Sequence, residues 1–420
     1  MQIQLLMTGS ELMRGTTVDS NSVRIADALA TLGLAIHRKV TVGDDRQLLV
    51  QELRAIANDA DVLIVNGGLG PTSDDLTAEA LASAAGDTLA ENPAALSHLA
   101  QWCSERKIAL NAANRKQAML PASSFLLDNP VGSAVGFGLR LGSCLVLCTP
   151  GVPRELEAML AHSILPLLQQ QFPDCERQLI LRMHLFGIGE SQAQEIIDKN
   201  ITGWPDGVVP GFRAGMPTVE IKLLARASMA AIANEYFIKL QTLFADYVVA
   251  LGEDTMASAL LELLASKNKT LVCAESCTGG LISAMLTEIP GASRAFLGSF
   301  VTYSNNMKTS LLGVSDKTLQ GHGAVSEETA RAMAEGAINQ SRSDYVLAVT
   351  GIAGPDGGTE EKPVGTVWIA WGDKNDIKAR RFNISGPRKR FQQLVAALAL
   401  DLLRRQAGSI STEPAYFSRW

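Results

Sequence analysis

The first part of the chain alternates between continuous apolar runs and stretches with apolar residues at helical spacing. The runs "IQLLMTG" and "DVLIVNGG" predict strands, the second of them covered on both faces, whereas Asn21–Leu32 predicts a helix that ends at Gly33. A last strand in "CLVLCTPGVP" leads into a helix from Arg154 to about Gln170. This alternation predicts a parallel sheet covered by helices, with ligands bound beyond the carboxyl ends of the strands.

Two more domains are predicted after a boundary in "QFPDCE" (171–176). The order strand–helix–strand–strand–helix–strand that follows is typical of a small split βαββαβ domain. Strands and helices alternate again from Met256 to a closing helix over Arg390–Arg405, and the tail "STEPAYFSRW" is predicted to fray. The predicted fold class is multi-domain α/β, with a parallel-sheet domain over 1–171, a small α+β domain over 176–252 and an α/β domain over 255–407.

The composition excludes several classes of partner. A formal net charge of −6 provides no basic surface, so direct contact with nucleic acid is not expected. No basic segment with a cleavage site opens the chain, and no apolar run approaches the roughly 20 residues of a membrane span. We therefore expect a cytoplasmic protein without membrane contact. The middle domain could be an RNA-binding variant of this fold, but it lacks stacking aromatics on a strand and a basic G-x-x-G loop, because "GIGE" is acidic. We therefore expect a spacer or a homodimerisation domain.

The six cysteines give little sign of a metal site. Two close pairs, Cys144/Cys148 and Cys273/Cys277, lack the neighbouring His or second Cys pair of a zinc site. Cys144 lies in a strand pattern in which positions i and i+4 face the same side. Buried free thiols are the better interpretation.

The stretch "NGGLGPTSDD" (66–75) has the composition of a phosphate-binding turn after a buried strand. Two adjacent carboxylates would repel a phosphate unless a divalent cation lay between them, which makes Asp74 and Asp75 candidate metal ligands. The alternative is a Gly-Pro turn in which Ser73 or Asp74 caps the next helix. "TGSELMRG" and "TPGVPRE" also lie at strand ends and are expected to border the same crevice. The candidate substrate-binding residues of the turn are Asn66, Gly67, Gly68, Gly70 and Thr72.

A second group of candidates lies at strand ends in the last domain. The strand "TLVCA" leads into "ESCTGG", where Ser276 is a candidate nucleophile at a turn opened by glycines. The domain's single histidine, His322, is interpreted as structural, so Lys308 is the better candidate base or charge partner. Tyr303 could hold a proton, as in Ser–Lys arrangements. The alternative is that Ser276 and Thr278 cap a helix and that Lys308 is a solvated charge.

Glycines complete this predicted pocket. Attack by a serine hydroxyl on a carbonyl group needs donors for the developing oxyanion, and the amides of Gly279 and Gly280 are the candidates. Thr278 and these two glycines are predicted to contact substrate, together with Gly351 and Gly354 of the loop "GIAGPDGG".

Long strings of the sequence resemble the bacterial competence/damage-inducible CinA family over practically the whole chain. "TGSEL", "NGGLGPTSDD" and "TPGVP" resemble its molybdopterin-binding MoaB/MogA-like domain, and "AESCTGG", "VTYSNNMK", "HGAVS" and "GIAGPDGGTEEKPVGTVWIA" resemble its C-terminal nicotinamide-nucleotide amidohydrolase domain. The resemblance implies hydrolysis of nicotinamide mononucleotide (NMN) to nicotinate mononucleotide and ammonia, without a cofactor. It also implies an N-terminal ADP-ribose pyrophosphatase that uses a divalent metal (Mg²⁺, Mn²⁺ or Co²⁺), with K⁺ as a further candidate.

The resemblance further implies which residues form the deamidase site. The family's site falls here on Ser276, Tyr303, Lys308, Thr350 and Arg388. The last segment departs from the family's G-D-R-x-x-(I/V)-R pattern, because "GPRKRFQQ" has Pro387 for the Asp and Gln392 for the second Arg. We expect Arg388 still to bind the nucleotide, with Lys389 or Arg390 partly replacing the lost arginine.

Two other classes of function stay open at this point. The MoaB-like resemblance does not by itself distinguish a pterin-binding module from an ADP-ribose hydrolase, although the carboxylate pair favours hydrolysis. The family's name also allows an accessory protein in DNA uptake that acts through a protein partner. The acidic charge balance argues only against direct DNA contact.

Overall fold

The computed structural model describes residues 1–173 and 178–418 of the chain. The chain divides into two compact units, Met1–Leu179 and Ile180–Trp420. Cys175 and the second half of the predicted boundary "QFPDCE" lie outside the described residues.

The first unit contains a sheet with helices on both faces. Its strands are β1 (Ile3–Thr8), β2 (Ile36–Val42), β3 (Val62–Asn66), β4 (Leu89–Glu91), β5 (Met119–Pro121), β6 (Phe125–Leu127), β7 (Gly136–Leu141) and β8 (Cys144–Thr149). Its α-helices are α1 (Ser10–Met13), α2 (Asn21–Ala30), α3 (Arg46–Asp59), α4 (Thr77–Ala85), α5 (Pro93–Glu105), α6 (Ala112–Arg115), α7 (Pro153–Met159) and α8 (Leu165–Gln171).

The sheet of this unit is mixed rather than wholly parallel. Its strand order is β2-β1-β3-β8-β7-β6, and the first four strands pair in parallel as predicted. β7 pairs antiparallel with β8, because the two-residue connection Gly142–Ser143 is too short for a crossover. All residues of β1, β3 and β8 are buried, since apolar clusters cover both faces of the sheet. Cys144 and Cys148 lie in the same cluster as free thiols, which confirms their predicted burial.

A small four-stranded sheet opens the second unit, in the order β10-β11-β9-β12. The elements follow the predicted βαββαβ order: β9 (Gln178–Leu185), α9 (Glu190–Asn200), β10 (Val208–Ala214), β11 (Val219–Arg226), α10 (Ala230–Leu243) and β12 (Val248–Leu251). β10 pairs antiparallel with β11, and β12 pairs antiparallel with β9.

The remainder of the second unit is an α/β domain with a five-stranded sheet. Its elements are α11 (Met256–Ser266), β13 (Leu271–Glu275), α12 (Leu281–Thr287), β14 (Phe296–Val301), α13 (Asn305–Leu312), α14 (Asp316–His322), α15 (Glu327–Ser341), β15 (Tyr345–Gly351), β16 (Thr366–Asp373), β17 (Asp376–Asn383) and α16 (Arg388–Ala407).

The topology of this domain brings several chain segments to one edge of the sheet. The strand order is β14-β13-β15-β16-β17, and β13 pairs in parallel with both β14 and β15. The carboxyl ends of these three strands therefore lie at the same edge. β16 is antiparallel to β15, so its first residues lie there, with Val367 opposite Gly351. Separate apolar clusters on the two faces of the sheet fix the strands between helices.

The structure departs from the sequence analysis at two places in this domain. β17 was not identified from the sequence because it is rich in charged residues; the two-residue turn Lys374–Asn375 pairs it with β16. The prediction that the tail frays is wrong at Tyr416, within its described part. Tyr416 is buried, its ring lies edge-on to Phe186 at 5.2 Å between centroids, and its hydroxyl donates to Asp401 at 2.7 Å. Among the described residues, no helix is both long enough and apolar enough to cross a membrane.

Candidate functional site

The turn after β13 is shaped by two glycines and one buried carboxylate. Gly279 (φ 64°) and Gly280 (φ 100°) have positive φ angles, which residues with a Cβ rarely adopt. The Glu275 carboxylate is fully buried and accepts hydrogen bonds from the backbone amides of Gly280 (3.0 Å), Ile282 (3.1 Å) and Ser283 (2.9 Å). Glu275 thus satisfies the amides at the start of α12, and the alternative that Ser276 or Thr278 caps this helix is wrong.

Ser276 and Lys308 form a buried pair at the end of this turn. Lys308 Nζ lies 3.1 Å from Ser276 Oγ, and it also donates to the backbone carbonyls of Thr302 (2.8 Å) and Tyr303 (3.3 Å). The Lys308 side chain is 1% exposed, so the alternative of a solvated charge is wrong. Burial lowers the pKa of Lys308 below the ordinary value of 10.5. A lysine with a lowered pKa beside a hydroxyl is suited to act as a base.

Tyr303 and Arg388 form the open side of the site. Arg388 is the first residue of α16, and its guanidinium donates to Tyr303 Oη and to the Gly354 carbonyl, each at 2.8 Å. These two contacts orient the guanidinium, although Pro387 stands where the family's pattern has an aspartate. Arg388 and Tyr303 are both exposed, which leaves the guanidinium accessible to a ligand.

One cavity of about 210 Å³ brings together all five residues that the resemblance places in the deamidase site. Thr350 lies inside it, buried, with its hydroxyl donating to the Ala324 carbonyl at 2.6 Å. The lining residues are Ser276, Cys277, Tyr303, Asn305, Lys308, Ala324, Val325, Thr350, Gly351, Ala353 and Arg388. Thr278, Gly279, Gly280, Gly354, Lys389 and Arg390 are not among them.

The glycine amides of the turn are not free to hold an oxyanion. The Gly279 amide donates to the Ser276 carbonyl at 3.0 Å, and the Gly280 amide donates to Glu275. The prediction that these amides serve as the oxyanion donors is therefore wrong, because both already donate to acceptors within the turn. Glu275 was missed as a structural partner of the site, although it precedes Ser276 directly in the sequence.

Cys277 also lines this cavity, so its reactivity needs to be compared with that of Ser276. Burial raises the pKa of the Cys277 thiol to about 12. The thiolate is the nucleophilic form of cysteine, and almost none of it is present at neutral pH. The neighbouring hydroxyl of Ser276, paired with Lys308, is therefore the better candidate nucleophile.

Gln392, noted in the sequence only as a departure from the family pattern, contacts the turn after β13. Its Nε2 donates to the Cys277 carbonyl at 2.9 Å from the first turns of α16.

His322 pairs with Glu328 at 3.2 Å outside the cavity, in agreement with a structural role.

The first unit has its own cavity, of about 390 Å³, beyond the carboxyl ends of β1, β3 and β8. Residues of "TGSELMRG" and "TPGVPRE" line it together with those of the glycine turn, which confirms that the three motifs border one crevice. Gly67 (φ 110°) has no room for a side chain, since a Cβ would lie 2.5 Å from Thr8 Oγ1. The lining residues are Thr8, Gly9, Glu11, Asp44, Gly67, Gly68, Leu69, Gly70, Pro71, Asp74, Asp75, Gln117, Ser133, Ala134, Pro150, Gly151, Val152 and Glu155.

Asn66 and Thr72 do not line this cavity. Asn66 is buried and links the ends of β3 and β8, donating to Thr149 Oγ1 (3.0 Å) and to the Pro150 carbonyl (2.8 Å). Thr72 donates to Asp75 through its amide at 2.8 Å and its hydroxyl at 2.5 Å. α4 begins only at Thr77, so neither Ser73 nor Asp74 caps it.

The carboxylates in this cavity do not form a ready-made metal site. Within residues 1–173 and 178–418, no three His, Cys, Asp or Glu side chains are grouped closely enough to share an ion. Asp74 and Asp75 nevertheless lie at the glycine turn where a phosphate would be bound. Mg²⁺ is usually held by one or two carboxylates together with substrate phosphates, and this pair fits an ion that arrives with its substrate.

Comparisons with known proteins match both ends of the chain to described domain families. Residues 4–170 match the probable molybdopterin binding domain, and residues 253–407 match the CinA C-terminal domain. The chain is thus a multi-domain α/β protein that combines a molybdopterin-binding type of domain with a CinA C-terminal domain.

Full-length relatives define the family. A CinA-like protein from Colwellia psychrerythraea is 47% identical over 421 residues, covering 99% of this chain and 98% of the relative. The nicotinamide-nucleotide amidohydrolase PncC of Shewanella oneidensis is 39% identical, covering 97% of this chain and 96% of the relative. The competence/damage inducible protein CihA from Agrobacterium tumefaciens, known from its crystal structure, matches a part of the chain. Its sequence is 41% identical and its structure superposes with a TM-score of 0.35, and the match covers 35% of this chain and 90% of that protein. The chain belongs to the CinA-like protein family.

Proposed function

We propose that the C-terminal domain hydrolyses NMN to nicotinate mononucleotide and ammonia, as a step of pyridine-nucleotide salvage. The observation that carries this proposal is the buried contact of 3.1 Å between Lys308 Nζ and Ser276 Oγ in a cavity that also holds Arg388. The name of the Shewanella oneidensis relative, nicotinamide-nucleotide amidohydrolase, supports the same reaction.

Lys308 in its neutral form is the base for Ser276. Two of its N–H groups donate to the carbonyls of Thr302 and Tyr303, so the lone pair of the neutral amine faces Ser276 Oγ. Ser276 Oγ transfers its proton to Lys308 and forms a bond to the carboxamide carbon, while the electron pair of the C=O bond moves to oxygen. The proton on Lys308 then passes to the departing nitrogen, which leaves as ammonia.

Water then hydrolyses the ester on Ser276, with Lys308 again acting as the base. Lys308 takes a proton from water, whose oxygen attacks the ester carbon on Ser276. Collapse of the second tetrahedral intermediate breaks the bond to Ser276 Oγ, which regains the proton from Lys308. The sum of the steps is NMN plus water giving nicotinate mononucleotide plus ammonia, with no further reactant.

The direct test is ammonia release from NMN by the full chain without added metal. Nicotinamide riboside is the matched control substrate, because it keeps the carboxamide and lacks the phosphate. We expect turnover of NMN and much weaker turnover of the riboside. No ammonia from NMN under any condition would exclude the proposal, whereas equal use of both substrates would exclude recognition of the phosphate.

Arg388 is expected to bind the phosphate of NMN. Its guanidinium is held by Gly354 and Tyr303 at the start of α16, where the helix amides also favour an anion. Lysine keeps the charge and loses the two-pronged geometry, so Arg388→Lys should raise KM for NMN about tenfold, worth ~1.4 kcal/mol, with a smaller fall in kcat. Steady-state kinetics measures both constants.

Arg390→Lys provides the matched control for this prediction. The sequence offered Arg390 as a partial replacement for the lost arginine, but it lies exposed outside the cavity, two residues further along α16. We therefore expect KM to stay within about twofold. An unchanged KM in Arg388→Lys together with a raised KM in Arg390→Lys would transfer the phosphate contact to Arg390.

We further propose that the N-terminal domain hydrolyses ADP-ribose with a divalent metal. The supporting observation is that Gly67, Gly68 and Gly70 line a cavity together with Asp74 and Asp75. A bound Mg²⁺ or similar ion would offset the repulsion between these carboxylates and the diphosphate and polarise its oxygens. Asp74 and Asp75 are the residues that would hold it, and K⁺ stays a further candidate.

EDTA is expected to abolish AMP release from ADP-ribose and to leave ammonia release from NMN unchanged. Asp75→Asn should lower AMP release at least roughly tenfold, since the amide oxygen can still accept from Thr72 while the charge is lost. Asp59→Asn, at the end of α3 and outside the cavity, is the control. AMP release that survives EDTA would exclude the metal, and pterin binding without AMP release would favour the binding-module alternative.

The cytoplasmic location and a homodimer formed through the middle domain stay predictions. Analytical ultracentrifugation of the full chain would test whether it forms a dimer.

A further inference from the structure

Two backbone amides beside Ser276 are free while their neighbours are not. Among the described residues, no hydrogen bond joins the amide of Cys277 or of Thr278 to another residue. The next three amides of the chain are engaged: Gly279 with the Ser276 carbonyl, Gly280 with Glu275, and Leu281 with the Thr278 carbonyl at 3.2 Å. Free amides in a tight and largely buried turn are uncommon and indicate a role in binding.

The orientation of both free amides is fixed through their own peptide planes. In a trans peptide the carbonyl and the N–H point to opposite sides, and neither of these peptides is cis. The carbonyl of the Ser276–Cys277 peptide accepts from Gly279 at 3.0 Å. The carbonyl of the Cys277–Thr278 peptide accepts from Gln392 Nε2 at 2.9 Å. Each free N–H is therefore directed away from an anchored carbonyl.

We infer that the amides of Cys277 and Thr278 donate to the substrate oxygen as it becomes negatively charged, and that Gln392 is a positioning residue for this oxyanion site. The inference rests on the proposed deamidation and adds the donors that the glycine amides do not supply. Cys277 directly follows Ser276 and lines the same cavity, and the Thr278 amide is the next one along the turn. Glu275 anchors the other end of the turn through Gly280 and α12.

The chemistry requires these donors at one moment of the reaction. When Ser276 Oγ bonds to the carboxamide carbon, the electron pair of the C=O bond moves to oxygen, and the serine proton moves to Lys308. Donors that are fixed in advance stabilise this charge more than they stabilise the neutral ground-state carbonyl. Loss of their orientation should lower kcat and leave KM nearly unchanged.

Gln392→Glu is the sharpest variant, because it keeps the size of the side chain and replaces the Nε2 donor by an acceptor. At pH 8 the ionised carboxylate would repel the Cys277 carbonyl. We expect kcat for NMN to fall at least tenfold with KM within about twofold, and Gln392→Leu to behave similarly. Gln392→Arg restores a side-chain donor and should recover kcat to within about threefold of the wild-type value.

Gln393→Leu is the matched control, since Gln393 is also half-buried on α16 and has no side-chain hydrogen bond among the described residues. It should keep both kcat and KM. Thermal unfolding of all variants separates loss of the fold from loss of rate, and Gln392→Arg remains informative if Gln392→Leu unfolds. Unchanged kcat in Gln392→Glu, or a raised KM alone, would overturn the inference. A wild-type chain that releases no ammonia would instead overturn the proposed function.

Discussion

Ser276→Ala is expected to lower kcat for NMN deamidation by at least ~100-fold. The hydroxyl lies 3.1 Å from Lys308 in a buried pair, and its removal would take away the proposed attacking atom and with it the acyl-enzyme. KM should change little, because the proposed phosphate contact of Arg388 does not involve the Ser276 hydroxyl. Ammonia release under saturating NMN, at matched enzyme concentration, measures the effect.

Ser266→Ala is the control for this variant. Ser266 is an exposed serine at the end of α11, outside the cavity, and among the described residues its hydroxyl donates only to the Leu263 carbonyl. Its loss should leave turnover within about twofold. Turnover in Ser276→Ala close to the wild-type rate would remove Ser276 from the role of nucleophile.

Mass spectrometry of rapidly quenched enzyme distinguishes Ser276 from Cys277. An acyl group should be found on Ser276, because burial raises the pKa of Cys277 to about 12 and keeps its thiol protonated. An acyl group on Cys277 would contradict both this assignment and the physical reason given for it.

The assembly of the candidate deamidase site could be predicted from the sequence because parallel strands end at one edge of a sheet. Ser276 follows β13, Tyr303 follows β14 and Thr350 lies at the end of β15, so the strand pattern alone places them together. Lys308 then enters from the first turns of α13. The cavity contains all four side chains.

The interactions that support this site could not be predicted in the same way. Gln392 lies 115 residues from Cys277 in the sequence, and only the packing of α16 on the sheet brings them together. A glutamine in a helix has no local pattern that indicates such a contact. The carboxylate of Glu275 is likewise buried only because the chain folds back over it at Gly280 and α12.

Strands and helices could be predicted where apolar residues recur with a clear period. The prediction failed where that period is absent. β17 alternates charged and partly buried residues, so its apolar content is too low to indicate a strand by itself. The tail has a mostly polar sequence with three aromatic residues, and the hydroxyl of the buried Tyr416 donates to Asp401 in the preceding helix. In both places a tertiary partner decides the structure that the local sequence leaves undetermined.

Lys308→Met is expected to lower kcat by ~10²–10⁴-fold, the usual range for loss of a positioned general base. Methionine fills most of the buried volume of the lysine side chain and cannot accept the Ser276 proton. Lys308→Arg separates the two roles that the sequence left open. Arginine keeps a positive charge and is not deprotonated in proteins, so it should be as inactive as methionine if Lys308 is a base. Substantial activity in Lys308→Arg would instead make Lys308 a charge partner.

The pH dependence of the wild-type enzyme tests the same role through the pKa of Lys308. Burial lowers this pKa below 10.5, and only the neutral amine can take the serine proton. The value of kcat/KM should therefore rise with pH on the acidic side and level off above the lowered pKa, at a pH below that of an ordinary lysine. Because Lys308→Ala leaves room in the buried pocket, added methylamine should partly restore its rate, in proportion to the concentration of neutral amine. Rescue that follows the protonated amine, or a profile flat across this range, would show that Lys308 acts through its charge.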